Sequence, residues 1–322
     1  MEGNESKNRV STIFRKIGNG RVRKRRNITK SKLFQHPYCP NLIDRIEAAR
    51  KDGCIGRKVV LYKSTASTND VAWEYASNAG NHGLCVLAEA QNAGRGRRGR
   101  VWYSAPGQSV LCSLLLTGTD APAEMLTLTA GVAVAEAING SVQHNHGQDG
   151  RATRLQCRIK WPNDILIQGQ KVAGILVEKR TIKAKPCFVV GIGINCNQTA
   201  AAFDGYDLNI PATSLAIQAG HAIDRTELVC ILLDKLEYWL GQISVGIAHP
   251  TNPVIERWLQ LSGMLGRHVT VECDGKRHSG FCRGIDPAGG MILHLDNSVV
   301  RLFTAAQTTI IEPQNHNSTS VF

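Results

Sequence analysis

Seven residues, Gly94-Arg95-Gly96-Arg97-Arg98-Gly99-Arg100, hold four guanidinium groups and three glycines. Arginine presents a planar fork that matches phosphate and carboxylate. Glycine lets a backbone approach a ligand closely and take dihedrals that other residues avoid. The combination suits an anion, which could be a nucleic-acid backbone, the counter-ions of a solvated linker or a bound small ligand. The run lacks the Gly-Lys-Ser/Thr ending of a phosphate-binding P-loop. It lies between two apolar stretches, Cys85–Ala88 and 110–116, a position that suits a site loop better than a polar tail.

Three further segments set polar groups at the edges of apolar runs. Lys160-Trp161-Pro162-Asn163-Asp164 gathers an ammonium, an amide and a carboxylate within one turn. A plain β-turn also uses Pro-Asn-Asp, so the segment alone does not separate a turn from a site. Lys171 opens Lys171-Val172-Ala173-Gly174-Ile175-Leu176-Val177-Glu178, where Ala173 and Gly174 leave room beside the ammonium. Gly191-Ile192-Gly193-Ile194-Asn195 repeats the pattern and ends on one amide. Both stretches fit a backbone packed against a ligand, and both also fit tight sheet packing.

The elements that must position these groups follow from periodicity. Leu42–Ala49 has the spacing of a short amphipathic helix, and Val59–Tyr62 is strand-like. Ser64-Thr65-Ala66-Ser67-Thr68-Asn69-Asp70 supplies capping residues for a helix expected over 71–76. Residues 85–88 and 110–116 read as buried strands, 126–138 as a buried helix and 144–152 as a polar loop. A hairpin is expected from 158–161 and 165–167 around Pro162-Asn163-Asp164, with 172–178 and 188–194 continuing the sheet. Residues 226–243 read as a helix. After Trp258 the pattern changes to short strands at 269–271, 279–281, 291–295 and 299–302, separated by Asp-Gly, Gly-Gly and Asp-Asn turns. The chain thus divides into a basic tail (1–40), a larger unit (41–263), a small all-β unit (264–313) and a short tail (314–322).

Charge and cysteines limit the partners. The formal charge is +12, but residues 1–32 hold eleven Lys or Arg against two Glu, which leaves only +3 on the other 290 residues. The electrostatic case for nucleic acid therefore applies mainly to the tail, whose composition reads as disordered. No run approaches the ~20 apolar residues that span a bilayer, so no membrane association is expected. A secretory leader pattern is not seen. Early Arg and Ser also suit an organellar transit peptide, against which Glu2 and Glu5 argue. The ten cysteines include no CxxC pair and mostly sit in apolar runs, as reduced thiols in a cytoplasmic protein do.

Taken in order, Ser67-Thr68-Asn69, Gln91 with the Gly/Arg loop, KWPND at 160–164, KVAGILVE at 171–178 and GIGIN at 191–195 resemble the biotin–protein ligase family. The resemblance spans about residues 43–313, and Arg283-Gly284-Ile285-Asp286 lies in what looks like the family's SH3-like C-terminal unit. The fold it implies is α+β, a mixed-sheet catalytic domain with a small C-terminal SH3-like β-barrel. The activity it implies joins biotin's carboxylate to the α-phosphate of ATP, giving biotinyl-5′-AMP and pyrophosphate. Biotin then passes to a lysine of a biotin carboxyl-carrier domain, and AMP leaves.

The resemblance also implies roles for residues. Lys171, Arg95 and Arg97 are the implied catalytic residues, aimed at charge shared between carboxylate and phosphate. Ser67, Thr68, Asn69 and Gln91 would hydrogen-bond the ureido ring, with Arg95, Gly96, Arg97 and Lys171 also on biotin. Gly94, Arg98, Arg100, Trp102, Lys160, Asn163 and Asn195 are the implied nucleotide contacts. Asp164 is the implied Mg²⁺ ligand, and Trp102 and Trp161 the apolar walls. The Gly/Arg loop becomes a lid that keeps water from a mixed anhydride. Implied cofactors are ATP and Mg²⁺, and a homodimer is left open.

Some relatives carry an N-terminal winged-helix repressor domain. Residues 1–40 do not make one, so neither a repressor role nor specific DNA binding is expected. Ser104-Ala105-Pro106 and Ser109-Val110 stand where the family often has Ser-Pro and Asn-Leu, which leaves the nucleotide contacts there open. Two other readings compete. Lipoate–protein ligases share the fold and the adenylate chemistry, but usually show an Arg-Arg and triple-glycine pattern where this chain has GRGRRGRVW. A nucleic-acid-binding protein using tail and loop gives Lys171 and KWPND no role.

Overall fold

The computed structural model describes residues 38–50, 53–143, 155–206, 208, 210–246, 252–286 and 288–311. The expectations for residues 1–37, for the loop at 144–152 and for 312–322 lie outside the described residues.

The body is a seven-stranded mixed sheet. Its strands are β1 (Val59–Tyr62), β2 (Cys85–Ala88), β3 (Ser109–Thr117), β4 (Cys157–Lys160), β5 (Asp164–Ile167), β6 (Gln170–Ile182) and β7 (Lys185–Asn195). Their spatial order is β1-β2-β3-β7-β6-β5-β4. β1 and β2 are parallel, and the remaining neighbours are antiparallel. The helices are α1 (Leu42–Ala49), α2 (Thr68–Glu74), α3 (Ala123–Gln143), α4 (Leu215–Ala219), α5 (Arg225–Gly246) and α6 (Pro253–Leu261).

Strand alternation decides where the site can lie. Val190, Ile192 and Ile194 of β7 face the large core, which they share with residues of α1, α3, α5 and α6. Val189 faces the other way, where Val71, Ala72, Trp73 and Ala76 pack on Val86, Ala88 and Leu115. This second cover is short, because α2 has only seven residues. Further along the same face come Gly191 and Gly193, with Gly174 of β6 directly opposite Gly193. Leu111 and Leu176 flank this stretch on the same face, but the three glycines leave a gap between them, and polar residues converge on it.

A second, antiparallel sheet follows: β8 (His268–Cys273), β9 (Lys276–Ile285), β10 (Met291–Leu295), β11 (Val300–Phe303) and β12 (Thr308–Ile311), in the order β11-β10-β9-β8-β12. It is held firmly to the body. Val271, Cys282, Met291, Leu293 and Phe303 join the main apolar cluster, and the Trp161 indole donates to the Gly289 carbonyl at 3.0 Å. The fold is α+β with a mixed main sheet and an antiparallel C-terminal sheet, as the resemblance implied.

Three details differ from the sequence reading. α2 starts at Thr68 rather than 71, because its first amide is capped from a distance: Thr68 N–H donates to Gln91 Oε1 at 2.7 Å. α6, which runs through Trp258, was not anticipated, although the change to β structure does follow Trp258. Asn252 caps that helix, accepting from the Val254 and Ile255 amides. β12 was not anticipated; its four residues gain their order by pairing with β8.

All ten cysteines are free. Burial pushes the Cys157 and Cys196 thiols up to about 12, which makes them poor nucleophiles at neutral pH. Among the described residues no helix is long and apolar enough to cross a membrane.

Candidate functional site

Three glycines form a floor. A Cβ on Gly193 would stand 2.5 Å from Cε2 of Trp102, because the indole lies directly on the strand. Gly174 lies under the same ring and under Lys171: its Cβ would be 3.1 Å from Trp102 Cζ3 and 3.3 Å from Lys171 Nζ. Gly191 carries Asn69, whose Oδ1 would be 2.5 Å from a Cβ. The small residues of KVAG and GIGIN therefore make room first for the protein's own Trp102, Lys171 and Asn69.

At one end of the floor sits a hydrogen-bonded knot. Gln91 Oε1 accepts from both the amide and the hydroxyl of Thr68, at 2.7 and 3.0 Å. Ser113 Oγ lies 2.7 Å from Thr68 Oγ1 and 2.6 Å from Asn69 Oδ1. Ser67 is buried beside them. Asn69 Nδ2 and Trp102 Nε1 are buried and lack a partner. An unpaired buried donor costs about 1–3 kcal/mol, so two on one floor point to a bound group that completes them.

At the other end is a cationic cluster. Lys171 Nζ lies 2.6 Å from Asp164 Oδ1 and 5.7 Å from the Trp102 ring centroid. Lys160, at the end of β4, has its ammonium pushed down to about 8, chiefly by burial. Asp164 opposes that shift, whereas Lys171 and Arg100 add to it. The Lys171 backbone is fixed as well, through Lys171 N–H to Pro211 O at 2.7 Å and Thr213 N–H to Lys171 O at 2.9 Å.

The Gly/Arg loop connects β2 to β3. Arg225 grips both of its feet, donating to Glu89 Oε2 at 2.7 Å and to the Ser109 carbonyl at 2.9 Å. Gly94 is buried, and a Cβ there would be 2.7 Å from the Trp102 carbonyl. Arg95 makes a two-pronged bond to Asp70, at 2.8 and 2.7 Å, and reaches Glu178 at 3.4 Å. The bond from Arg95 is the main reason the Asp70 carboxyl lies below its usual range. Arg97 donates to Asn163 Oδ1 at 3.3 Å and to the Ala305 carbonyl. Arg100 is exposed, and Gly96 bonds Arg100 across the turn at 2.7 Å.

The structure gives several of the expected site residues partners within the chain. Trp161 is only 1% exposed, so it is a core residue tied to Gly289 rather than a wall of the site. Arg98 points to Ala306 O and Thr309 of the second sheet instead of towards the floor. Asn195 is buried, with its amide bonded to Thr213 O and Gln198. The Asn163 amide locks its turn onto the Ile175 carbonyl at 2.8 Å. Asp164 is committed to Lys171, and the described residues hold no group of three or more His, Cys, Asp or Glu suited to a metal. The donor set thus does not fit a protein-held Mg²⁺ cage.

Other contributors carried no local signal. Ser113 looked like one polar residue in a buried strand. Asp70 and Glu178 read as ordinary carboxylates on a helix and a strand. A cavity of about 340 Å³ beside Lys171, lined by Gln170, Phe203, Tyr206, Pro211 and Thr213, belongs to a stretch without periodicity. Tyr206 there stacks on Tyr103 with centroids 4.0 Å apart.

Residues 61–195 match the model of the biotin/lipoate A/B protein ligase family. The chain is 32% identical over 259 residues to the bifunctional ligase/repressor BirA of Bacillus subtilis, covering 79% of this chain and 75% of that protein. This chain belongs to the biotin–protein ligase family. The biotin–[acetyl-CoA-carboxylase] ligase of Mycobacterium tuberculosis is likewise 32% identical over 264 residues, 79% of this chain and 91% of its own length. Among solved structures, the Aquifex aeolicus biotin protein ligase in complex with biotin and ATP aligns with a TM-score of 0.64 and 23% identity. That match covers 80% of this chain and 100% of the other, and it supports the ligase fold.

Proposed function

We propose that this chain is an ATP-dependent biotin–protein ligase that makes biotinyl-5′-AMP on the glycine floor and transfers biotin to a lysine of a biotin carboxyl-carrier domain. The observation that carries the reading is the floor's polarity. A cation, Lys171, stands at one end, and an unpaired amide donor, Asn69 Nδ2, stands at the other. Biotin is apolar in the middle, with a carboxylate at one end and a ureido carbonyl at the other. Asn69, Thr68 and Gln91 then hold the ureido ring, Trp102 covers the apolar middle, and Lys171 exchanges Asp164 for the substrate carboxylate.

In the first step a biotin carboxylate oxygen bonds to the α-phosphorus of ATP. The bond from that phosphorus to the pyrophosphate oxygen breaks, and pyrophosphate leaves with the electron pair. Both reactants are anions, so Lys171 and the nearby Lys160 lower the barrier by neutralising charge that gathers at phosphorus. Arg95 and Arg97 bring the loop over the product and exclude water. In the second step a carrier lysine amine attacks the acyl carbon and AMP departs. The cavity walled by Phe203 and Tyr206 suits the nucleoside. A divalent ion, if the nucleotide brought one, would neutralise phosphate charge, and the nearest carboxylate to it would be Asp164, paired here with Lys171.

Pyrophosphate exchange into ATP, run with biotin, lipoate or nucleic acid, tests the reading. Exchange is expected with biotin alone. Exchange with lipoate but not biotin would replace the substrate, and none with either would remove the adenylate mechanism.

A further inference from the structure

The Gly/Arg loop is strung between two anchors. The inner anchor is Arg95 on Asp70 and Glu178, both part of the ligase body. Glu178 is itself fixed, accepting from the Trp73 indole at 3.0 Å. The outer anchor is the turn between β11 and β12 of the C-terminal sheet. Arg97 donates to Ala305 O, while Arg98 donates to Ala306 O at 3.1 Å and to Thr309 Oγ1. Two carbonyls of one short turn and a hydroxyl at the start of β12 thus receive two successive arginines.

We infer that the turn between β11 and β12, together with Thr309 of β12, is a latch for the substrate-covering loop, and that Arg98 is a positioning residue acting through this latch rather than a nucleotide ligand. The inference rests on the ligase reading for its catalytic consequence, but the latch itself is read from contacts within the chain. Backbone conformation supports it independently. Arg98 has φ 56° and ψ 40°, a left-handed conformation that a side-chain-bearing residue keeps only where surrounding contacts hold it. Gly99 follows at φ 73°, so the loop reverses at Arg98 and delivers that guanidinium outwards. The latch is firm because its sheet shares the main apolar cluster and is tied to KWPND through Trp161 and Gly289. Between the anchors, Arg97 also meets Asn163, next to the carboxylate that pairs Lys171. A residue more than two hundred positions away in the chain thereby helps set how well the loop closes over the site.

Hydrogen–deuterium exchange on the full chain tests the latch without requiring activity. Thr309→Val and Arg98→Ala should each speed exchange at loop residues 95–101 by about 2- to 10-fold, the range of one net hydrogen bond. The double variant should be no faster than Arg98→Ala, Thr309→Ser should restore protection, and β8 to β10 should stay unchanged. Unchanged loop exchange in Thr309→Val, or fully additive effects in the double variant, would overturn the latch. With biotin and ATP present, the same variants should release adenylate faster by a similar factor while the KM for ATP stays within about twofold. A raised KM for ATP in Arg98→Ala with normal adenylate retention would return Arg98 to the nucleotide. Wild-type chain that forms no adenylate would sink the ligase reading, and the exchange data would still decide the latch.

Discussion

The 160–164 turn and the 94–100 loop carry similar polar content and hold it in opposite ways. In the turn, Trp161 is buried, the Asn163 amide is locked to Ile175 and Asp164 is paired with Lys171. Its groups are set by packing and short-range bonds, and they fix the cationic end of the floor. In the loop, Arg95, Arg97 and Arg98 reach partners on α2, β6, the turn and the second sheet. Apart from the two-pronged Arg95–Asp70 bond, those contacts are single and partly exposed, worth about 0–1 kcal/mol for an exposed ion pair. A preorganised charge belongs on the rigid segment, and a cover that must open for substrate belongs on the weakly held one.

That contrast can be broken at its rigid side first. Lys171→Ala should reduce biotin-dependent pyrophosphate exchange by about 10²–10³-fold, the effect of losing one group aimed at developing charge, with circular dichroism unchanged. Activity within about tenfold of wild type would move the cationic centre elsewhere. Gly193→Val comes next. Its side chain would collide with Trp102, so calorimetry should show biotin affinity falling by roughly 10–100-fold, or about 1.4–2.8 kcal/mol. Normal affinity would mean that biotin does not use this floor.

Arg97→Gly probes the weak side. Adenylate should escape about 10-fold faster, consistent with one or two lost charged hydrogen bonds, and should acylate lysines on unrelated proteins. Retention equal to wild type would count against the lid. Asn163→Ala separates the two regions: it should lower stability by about 1–2 kcal/mol in denaturant titrations and leave the KM for ATP nearly unchanged. A raised KM with normal stability would reverse that assignment.

The smallest effect is a pH dependence at Lys160. Its ammonium is pushed down to about 8 in the folded chain, from 10.5. Below pH 8 it is protonated in both folded and unfolded states. Between 8 and 10.5 the unfolded chain keeps a proton that the folded chain releases, so this residue's contribution to stability rises with pH. With Lys160 beside the nucleotide, as proposed, attraction for ATP should fall across the same window as the charge is lost. The KM for ATP should therefore rise from pH 8 to 9.5, and Lys160→Arg should flatten that rise.

Much of the floor was legible in the chain. Gly174, Gly191 and Gly193 lay in strand patterns where small residues needed a reason, and Ser67, Thr68, Asn69 and Gln91 do come together. The α+β fold was legible because strand and helix periodicities were strong. What could not be read was which polar groups folding had already claimed. Trp161 bonds a carbonyl 128 positions away, and Arg98 reaches residues 208 and 211 positions on. The cap of α2 comes from Gln91, 23 residues beyond Thr68. Asp70 and Glu178 gained significance only when the sheet set them on either side of Arg95.

On the proposed reading, the glycine floor and the arginine loop together hold an acyl-adenylate. Mixing wild-type protein with biotin, lipoate and ATP, stripping free small molecules and identifying what stays bound by mass spectrometry tests it most directly. Stoichiometric biotinyl-5′-AMP is expected, lost in Gly193→Val and poorly retained in Arg97→Gly. A chain that carries no adenylate, or carries the lipoyl one instead, would contradict it.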